Sequence, residues 1–307
     1  MKRKRILRSV GLTSIVAGAI ALGSCGEKEE TINANNDDKV LRITAIPDKK
    51  VSDQSIKYKA LSDYLATDLG VKVQYVNSQD YSASVNRFAN NEVQLVWFGG
   101  LTGVQARARV EGSRAIVQGV VDPEYKSYFI AHESTGLEKS DEFPQGIANL
   151  TFTFGSKKST SGRLMPTWFI QKETGKTPEE FFSKPVQFTG KASHAGTANA
   201  VNEGSVQAGV LSYKTYDSMV KSGEIDPNKA KIIWVTPGYA DYNFTAHPSL
   251  DETFGAGFID KLQKALISCK DKNVLTVLQR EEGLIEAKNK DFASIVTIAK
   301  ELGFFKD

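Results

Sequence analysis

Apolar and polar positions begin to alternate at Val40. The run VLRITAI (40–46) predicts a strand, and residues 53–69 place Ile56, Ala60, Leu61, Tyr64, Leu65 and Leu69 at helical spacing before Gly70. VKVQYV (71–76) predicts a second strand, and 80–90 a helix with Val85, Phe88 and Ala89 on one face. VQLVWF (93–98), a helix over 101–111 and the strand RAIVQGVV (114–121) continue the series. This rhythm predicts an α/β layer built on a mostly parallel sheet.

A second set opens near residue 128. YFIAHE and TFTFG (151–155) predict strands, 161–173 a helix, VQFTG (186–190) a strand and 195–203 a helix. VQAGVL (206–211), a helix over 213–222 and AKIIWV (230–235) complete it. The tail from 251 to 305 reads as largely helical, in FIDKLQKALISC, NVLTVLQR and ASIVTIAKEL, with too few strands for a third sheet. The economical arrangement is two α/β lobes: 40–127 with 245–307 as lobe I, and 128–244 as lobe II. The chain then crosses between lobes twice, and a ligand belongs in the crevice between them.

Residues before Val40 differ in kind. Lys2, Arg3, Lys4, Arg5 and Arg8 precede an apolar stretch from Val10 to Leu22, too short for a stable membrane span. That is the pattern of an export signal over 1–24. Its end, Leu22-Gly23-Ser24-Cys25, resembles a bacterial lipobox, in which the Cys25 thiol receives the lipid. Two acyl chains would anchor the protein stably in the cell envelope. Residues 25–39 are polar and charged and read as the lipidated Cys followed by a flexible tether.

Charge changes meaning once that leader is set aside. The chain carries 39 Lys+Arg against 36 Asp+Glu, a formal +3. Five of those bases lie in the leader, so the remainder holds 34 against 36, a formal −2. Nucleic-acid binding thereby loses its compositional support. With two Cys and three His, neither a disulfide scaffold nor a zinc cluster is expected.

Four segments could carry chemistry. In Phe154-Gly155-Ser156-Lys157-Lys158-Ser159-Thr160-Ser161-Gly162, a strand runs through a hydroxyl-rich loop into a helix. Hydroxyls beside unpaired amides at a helix start suit an anion, although Ser159 or Thr160 acting only as a cap fits equally well. Trp97-Phe98-Gly99-Gly100-Leu101-Thr102-Gly103 is a glycine-lined strand-to-helix turn, with or without a ligand. Ala192-Ser193-His194 opens another helix, where a lone His is either structural or a ligand contact. Thr236-Pro237-Gly238-Tyr239-Ala240-Asp241-Tyr242 lies where the chain leaves the second lobe. A Walker loop, a Gly-x-Ser-x-Gly elbow, His-Glu-x-x-His and Gly-x-Gly-x-x-Gly are all missing, so no catalytic set and no cofactor is expected.

The run Ser159-Thr160-Ser161-Gly162-Arg163-Leu164-Met165-Pro166 resembles the Ser-Thr-Ser-Gly-x-x-x-Pro motif of phosphonate/phosphite-type substrate-binding proteins of ABC transporters. Asp80-Tyr81, Val96-Trp97-Phe98-Gly99, Ser193-His194 and Trp234-x-x-Pro237 match further landmarks in order, over about 40–305. Phe98–Arg107 and Thr151–Gly155 are most similar to a branch named for selenate binding. The resemblance implies a two-lobed class 2 periplasmic-binding-protein fold that closes around a small oxyanion.

It further implies that Ser159, Thr160 and Ser161 grip the oxygens and His194 donates from the facing helix. Gly99, Thr102, Asp241 and Tyr242 are expected nearby. Phe98 stands where the family usually has a Tyr, so a hydroxyl contact is lost. The family's other acidic positions hold Ala195 and Tyr213-Lys214, which leaves Asp241 as the acidic candidate. If Asp241 faces the cleft, a protonated phosphorus oxyanion is favoured; if it points away, selenate or sulfate is. The implied partners are an ABC permease with its ATPase and the membrane, for a monomeric protein. A ligand-binding subunit of a membrane sensor is the first alternative. An envelope-anchored hydrolase using His194 is the second, and it lacks an evident acid to orient the imidazole.

Overall fold

The computed structural model describes residues 39–47, 51–189 and 193–305. The leader, Cys25 and the tether as far as residue 38 lie outside the described residues.

Two mixed sheets carry the fold: the chain builds part of the first, then all of the second, and returns to complete the first. The first has six strands: β1 (Val40–Ala45), β2 (Lys72–Tyr75), β3 (Leu95–Phe98), β4 (Arg114–Gly119), β10 (Asn243–Ala246) and β11 (Leu284–Glu286), in the order β11-β4-β10-β3-β1-β2. The second has β5 (Ser127–His132), β6 (Phe152–Phe154), β7 (Gln187–Phe188), β8 (Ala208–Ser212) and β9 (Ala230–Val235), in the order β7-β6-β8-β5-β9.

The sheets are less parallel than the rhythm predicted. β1 runs parallel to β2 and β3, but β10 enters antiparallel between β3 and β4, and β11 pairs antiparallel with β4. In the second sheet β5 is antiparallel to both β8 and β9, while β6 pairs parallel with β7 and β8. The strands that follow the two crossings, β5 and β10, pair only antiparallel with their neighbours.

Helices cover both sheets. The first seven are α1 (Val51–Leu69), α2 (Tyr81–Ala89), α3 (Gly100–Arg109), α4 (Met165–Thr174), α5 (Pro178–Phe181), α6 (Ser193–Asn202) and α7 (Tyr213–Ser222), of which α3, α4 and α6 begin at the site. Leu41, Ile43, Trp97, Leu262, Leu266 and Ile295 are buried around the first sheet. The second sheet's core is aromatic: Trp234 meets Phe129 at 5.3 Å and Phe143 at 5.2 Å, both edge-on, and Phe152 stacks on Phe182 at 4.4 Å.

The two crossings between sheets run side by side. Tyr125 and Tyr239 exchange backbone hydrogen bonds of 2.9 and 3.0 Å, and the Asp241 amide donates to the Asp122 carbonyl at 3.1 Å. Arg280, from the C-terminal segment, makes two hydrogen bonds to Asp122, Nε to Oδ2 at 2.7 Å and Nη2 to Oδ1 at 2.6 Å. Its guanidinium also lies over the rings of Trp97, Tyr125 and Tyr242. Both charges are buried, and they are paired, so neither is left uncompensated.

Candidate functional site

The hydroxyl loop is built by two glycines. The Gly155 amide donates to the Gly162 carbonyl at 2.9 Å, which draws the loop back onto the end of β6. A β-carbon on Gly155 would stand 2.6 Å from Ser193 Oγ, so only glycine lets α6 start against this loop. Ser193 Oγ then accepts the Ser156 amide at 2.8 Å. Ser159 occupies the cap position and its Oγ accepts the Gly162 amide at 3.0 Å. The next turn, Thr160–Leu164, is a π-turn that precedes α4. Such π-turns are frequent at functional sites.

From that turn Thr160 and Ser161 point in different directions. Thr160 Oγ1 accepts the Leu101 amide of α3 at 3.0 Å, so the loop of one sheet touches a helix start of the other. The carbonyl of Ser161 accepts the Ser127 hydroxyl at 2.7 Å. Ser161 Oγ lies 3.5 Å from His194 Nε2. His194 Nδ1 accepts the Ser212 amide at 3.2 Å. A neutral imidazole that accepts at Nδ1 carries its proton on Nε2, on the Ser161 side. This geometry gives an N–H donor and withholds a base, the reverse of what a Ser–His nucleophile needs.

The third wall is the start of α3. Gly99 caps it without a side chain, and the missing cap is supplied from the second crossing: Asp241 Oδ1 accepts the Gly100 amide at 2.8 Å. A β-carbon on Gly99 would lie 3.1 Å from Thr160 Oγ1, 3.3 Å from Asp241 Oδ1 and 3.4 Å from Ile46 Cδ1. A hydroxyl, a carboxylate and a methyl group therefore converge on one point.

Asp241 is the distinctive group. It is buried, and its Oδ2 has no hydrogen-bond partner among the described residues. Burial pushes its carboxyl up to about 7, opposed by the Gly100 amide and the Thr160 hydroxyl; nearby Asp122 raises it further and Arg280 lowers it. A buried carboxyl with a free oxygen and a titration point near neutrality can take a proton from a ligand or give one to it.

Other sequence candidates fall elsewhere. Phe98 is wholly buried and meets Phe88 edge-on at 5.8 Å, inside the first sheet's core. The Thr102 hydroxyl donates to the Gly99 carbonyl at 3.2 Å, within its own turn. Tyr242 stacks on Trp97 at 5.7 Å and lies 4.8 Å beneath the Arg280 guanidinium, in the cluster at the crossings. Ser127, Ser212 and Ile46, which complete the site, escaped the sequence reading, and Ser193 entered it only as the neighbour of His194. They are ordinary strand ends, or a hydroxyl before a His, and nothing local distinguishes them. No group of His, Cys, Asp and Glu among the described residues could hold a metal ion.

Comparison with known proteins shows the family. Residues 43–292 match the profile of a family described as ABC transporter, phosphonate, periplasmic substrate-binding protein. The chain is 34% identical over 270 residues to the "Probable ABC transporter phosphite binding protein PhnD1" of Prochlorococcus marinus strain MIT 9301, covering 86% of this chain and 90% of that one. It is 27% identical over 291 residues to the "Phosphate-import protein PhnD" of Mycolicibacterium smegmatis, covering 89% and 85%. The solved structure of the P. marinus PhnD1 with methylphosphonate superposes with a TM-score of 0.80 over 88% of this chain and 99% of that one. A phosphonate-transporter binding protein from Pseudomonas aeruginosa, 18% identical with a TM-score of 0.71, shares the fold. The profile match over residues 43–292, the 34% identity to a relative covered over most of its length, and the shared two-lobed α/β fold place this protein in the phosphonate family of ABC-transporter periplasmic substrate-binding proteins, with a binding role and no enzymatic one.

Proposed function

We propose that this protein captures a monoprotonated phosphorus oxyanion, phosphite or a small alkylphosphonate, and delivers it to its permease and ATPase from a lipid anchor at Cys25. The observation that carries the ligand class is the free Oδ2 of Asp241, buried beside Thr160 and the α3 start. A carboxylate there accepts the proton of a P–OH group and repels an ion that has no proton to offer. Selenate and sulfate are therefore disfavoured, in spite of the likeness to a selenate-named branch. The Ile46 methyl beside Gly99 gives the site one apolar side. That side suits P–H or P–CH3 better than a fourth oxygen, which would be buried against carbon without a partner.

In this reading Thr160, Ser161 and the cap hydroxyl of Ser159 supply O–H donors, and His194 an N–H. Lobe I comprises 40–127 and 245–307, lobe II 128–244, and the protein works as a monomer. The names of the relatives point the same way: one is called phosphite binding and its structure holds methylphosphonate.

Titration calorimetry of residues 26–307 with phosphite, methylphosphonate, phosphate, selenate and sulfate tests the proposal. Tight, saturable binding of phosphite or methylphosphonate, with sulfate and selenate at least a hundredfold weaker, is expected. Preference for selenate or sulfate, or no oxyanion binding at all, overturns it. For the anchor, lipid labelling of wild type but not of Cys25→Ser in a bacterial host is expected; equal labelling removes it.

A further inference from the structure

Arg280 is fixed in place through all three of its nitrogens. Nε and Nη2 donate to the two oxygens of Asp122 at 2.7 and 2.6 Å, and Nη1 donates to the carbonyls of Leu278 and Gln279 at 3.0 and 2.9 Å. Asp122 Oδ2 also accepts the Gly119 amide at 2.7 Å, so its oxygens receive three N–H groups, the surroundings of an ionised carboxylate. The backbone bends to allow this. Gln279, which ends the helix Lys272–Leu278, is left-handed at φ 55°, and a β-carbon on Gly119 would stand 2.6 Å from Asp122 Oδ2. A left-handed residue with a β-carbon costs free energy. A buried ion pair is itself a weak source of stability, since apolar side chains of similar volume commonly serve as well. The pair therefore calls for a role beyond holding the fold together.

Its position supplies one. The Asp241 amide donates to the Asp122 carbonyl at 3.1 Å, and the Arg280 guanidinium lies 4.8 Å from the ring of Tyr242, the next residue. One fixed anion and one fixed cation thus stand beside the buried carboxyl whose Oδ2 has no partner among the described residues. Burial raises the Asp241 carboxyl most, and the Gly100 amide and Thr160 hydroxyl oppose it; the pair acts in both senses, Asp122 upward and Arg280 downward. Around Asp241, α3 and the hydroxyl loop present Gly100 and Thr160, and the two crossings present Tyr125, Tyr239 and Tyr242. Burial holds Tyr125 and Tyr239 well above the ordinary phenol range, so both stay neutral.

We infer that Asp122 and Arg280 form a specificity-determining positioning pair, whose two opposed charges decide which protonation form of an oxyanion Asp241 accepts. This rests on the oxyanion reading above. Arg280 alone would hold Asp241 ionised well below neutral pH. Asp122 alone would hold it protonated, an acid unable to receive the proton of a P–OH group. Charges in so poorly solvated a region act strongly, and together they largely offset each other. Asp241 is then free to take either form near neutrality.

The test uses the full chain, purified in detergent, as wild type, Asp122→Asn and Asp122→Asn/Arg280→Met. Asn keeps the backbone carbonyl that holds the Asp241 amide and an oxygen for Gly119, and the double variant removes both charges. Carbon NMR of labelled aspartate carboxyls, with Asp241 assigned against Asp241→Asn, reads its titration midpoint without ligand. Calorimetry with phosphite and methylphosphonate from about pH 5 to about pH 8 reads where affinity falls on the acid side. In Asp122→Asn the midpoint and the acid-side loss should both move down by about one pH unit or more. The double variant should return both to within about half a unit of wild type. An unchanged midpoint in Asp122→Asn overturns the inference, as does an equal fall in the double variant, which would make the effect one of shape. A midpoint that moves while the acid-side loss stays put overturns it as well. Should Asp122→Asn not fold, Arg280→Met replaces it: its midpoint should rise or stay level, and a fall overturns the inference. If wild type binds neither ligand, the oxyanion reading itself has failed, which the ligand-free titration keeps separate.

Discussion

At the scale of single residues, Asp241 makes the sharpest predictions. In the unfolded chain its carboxyl titrates near the ordinary 3.8, whereas in the folded protein it titrates near 7. Between about pH 4 and pH 7 the unfolded chain loses this proton and the folded one keeps it, so rising pH removes stability across that window. About 3 units of difference correspond to about 4 kcal/mol, fully lost above pH 7. Asp241→Asn keeps an acceptor for Gly100 and has no proton to lose. Its ligand-free Tm should therefore exceed wild type at pH 8 and equal it at pH 4; the same offset at both pH values would show that the carboxyl titrates normally. The same variant should lose its discrimination against sulfate. Thr160→Val and Ser161→Ala each remove a donor to a charged ligand, and each should weaken binding by about 10- to 100-fold. Calorimetry showing unchanged affinity in both would move the site away from this loop.

At the scale of elements, the site is made by how closely three helix starts approach one another. Gly155→Ala places a β-carbon only 2.6 Å from Ser193 Oγ. The expected result is a loss of about 1–3 kcal/mol in urea unfolding and weaker oxyanion binding. A stable variant with full affinity would mean that α6 has room to retreat. The elements themselves were largely legible: α7 (213–222) and β9 (230–235) end where the periodicity ends. β10 and β11 were not legible. β11 is three residues long with two of them exposed, and β10 reads Asn-Phe-Thr-Ala, with no local strand signature. Their pairing is decided by β3 and β4, more than a hundred residues away. The helix predicted from 161 is a π-turn over 160–164, capped by Ser159 through the Gly162 amide, before a regular helix from 165.

At the scale of the whole molecule, the crossings and the C-terminal segment form one unit. Arg280 ties Asp122 of the first crossing to Tyr242 of the second, and Lys214 of α7 forms an ion pair with Glu282, two residues beyond Arg280. Asp122→Ala leaves a buried guanidinium unpaired and should cost about 3–5 kcal/mol of unfolding free energy. Urea titration reads it directly, and a loss under 1 kcal/mol would show that water replaces the carboxylate. Gly119 belongs to the same unit, since a β-carbon there would fall 2.3 Å from Arg280 Cδ.

The sequence by itself determined the α/β character, the division into two sets of elements, the hydroxyl loop and the helix that His194 opens. These depend on periodicity and on neighbours a few residues apart, which a chain carries wherever it folds. It also left one question open, the direction of Asp241. Only the tertiary structure decided that Asp241 caps α3, that Phe98 and Tyr242 serve the core and the crossings, and that Arg280 is paired with Asp122. Burial and the partner of a charge are set by atoms brought from distant parts of the chain. The Asp241 titration, for instance, is a balance of lost water against an amide 141 positions away, and no local pattern of residues encodes that balance.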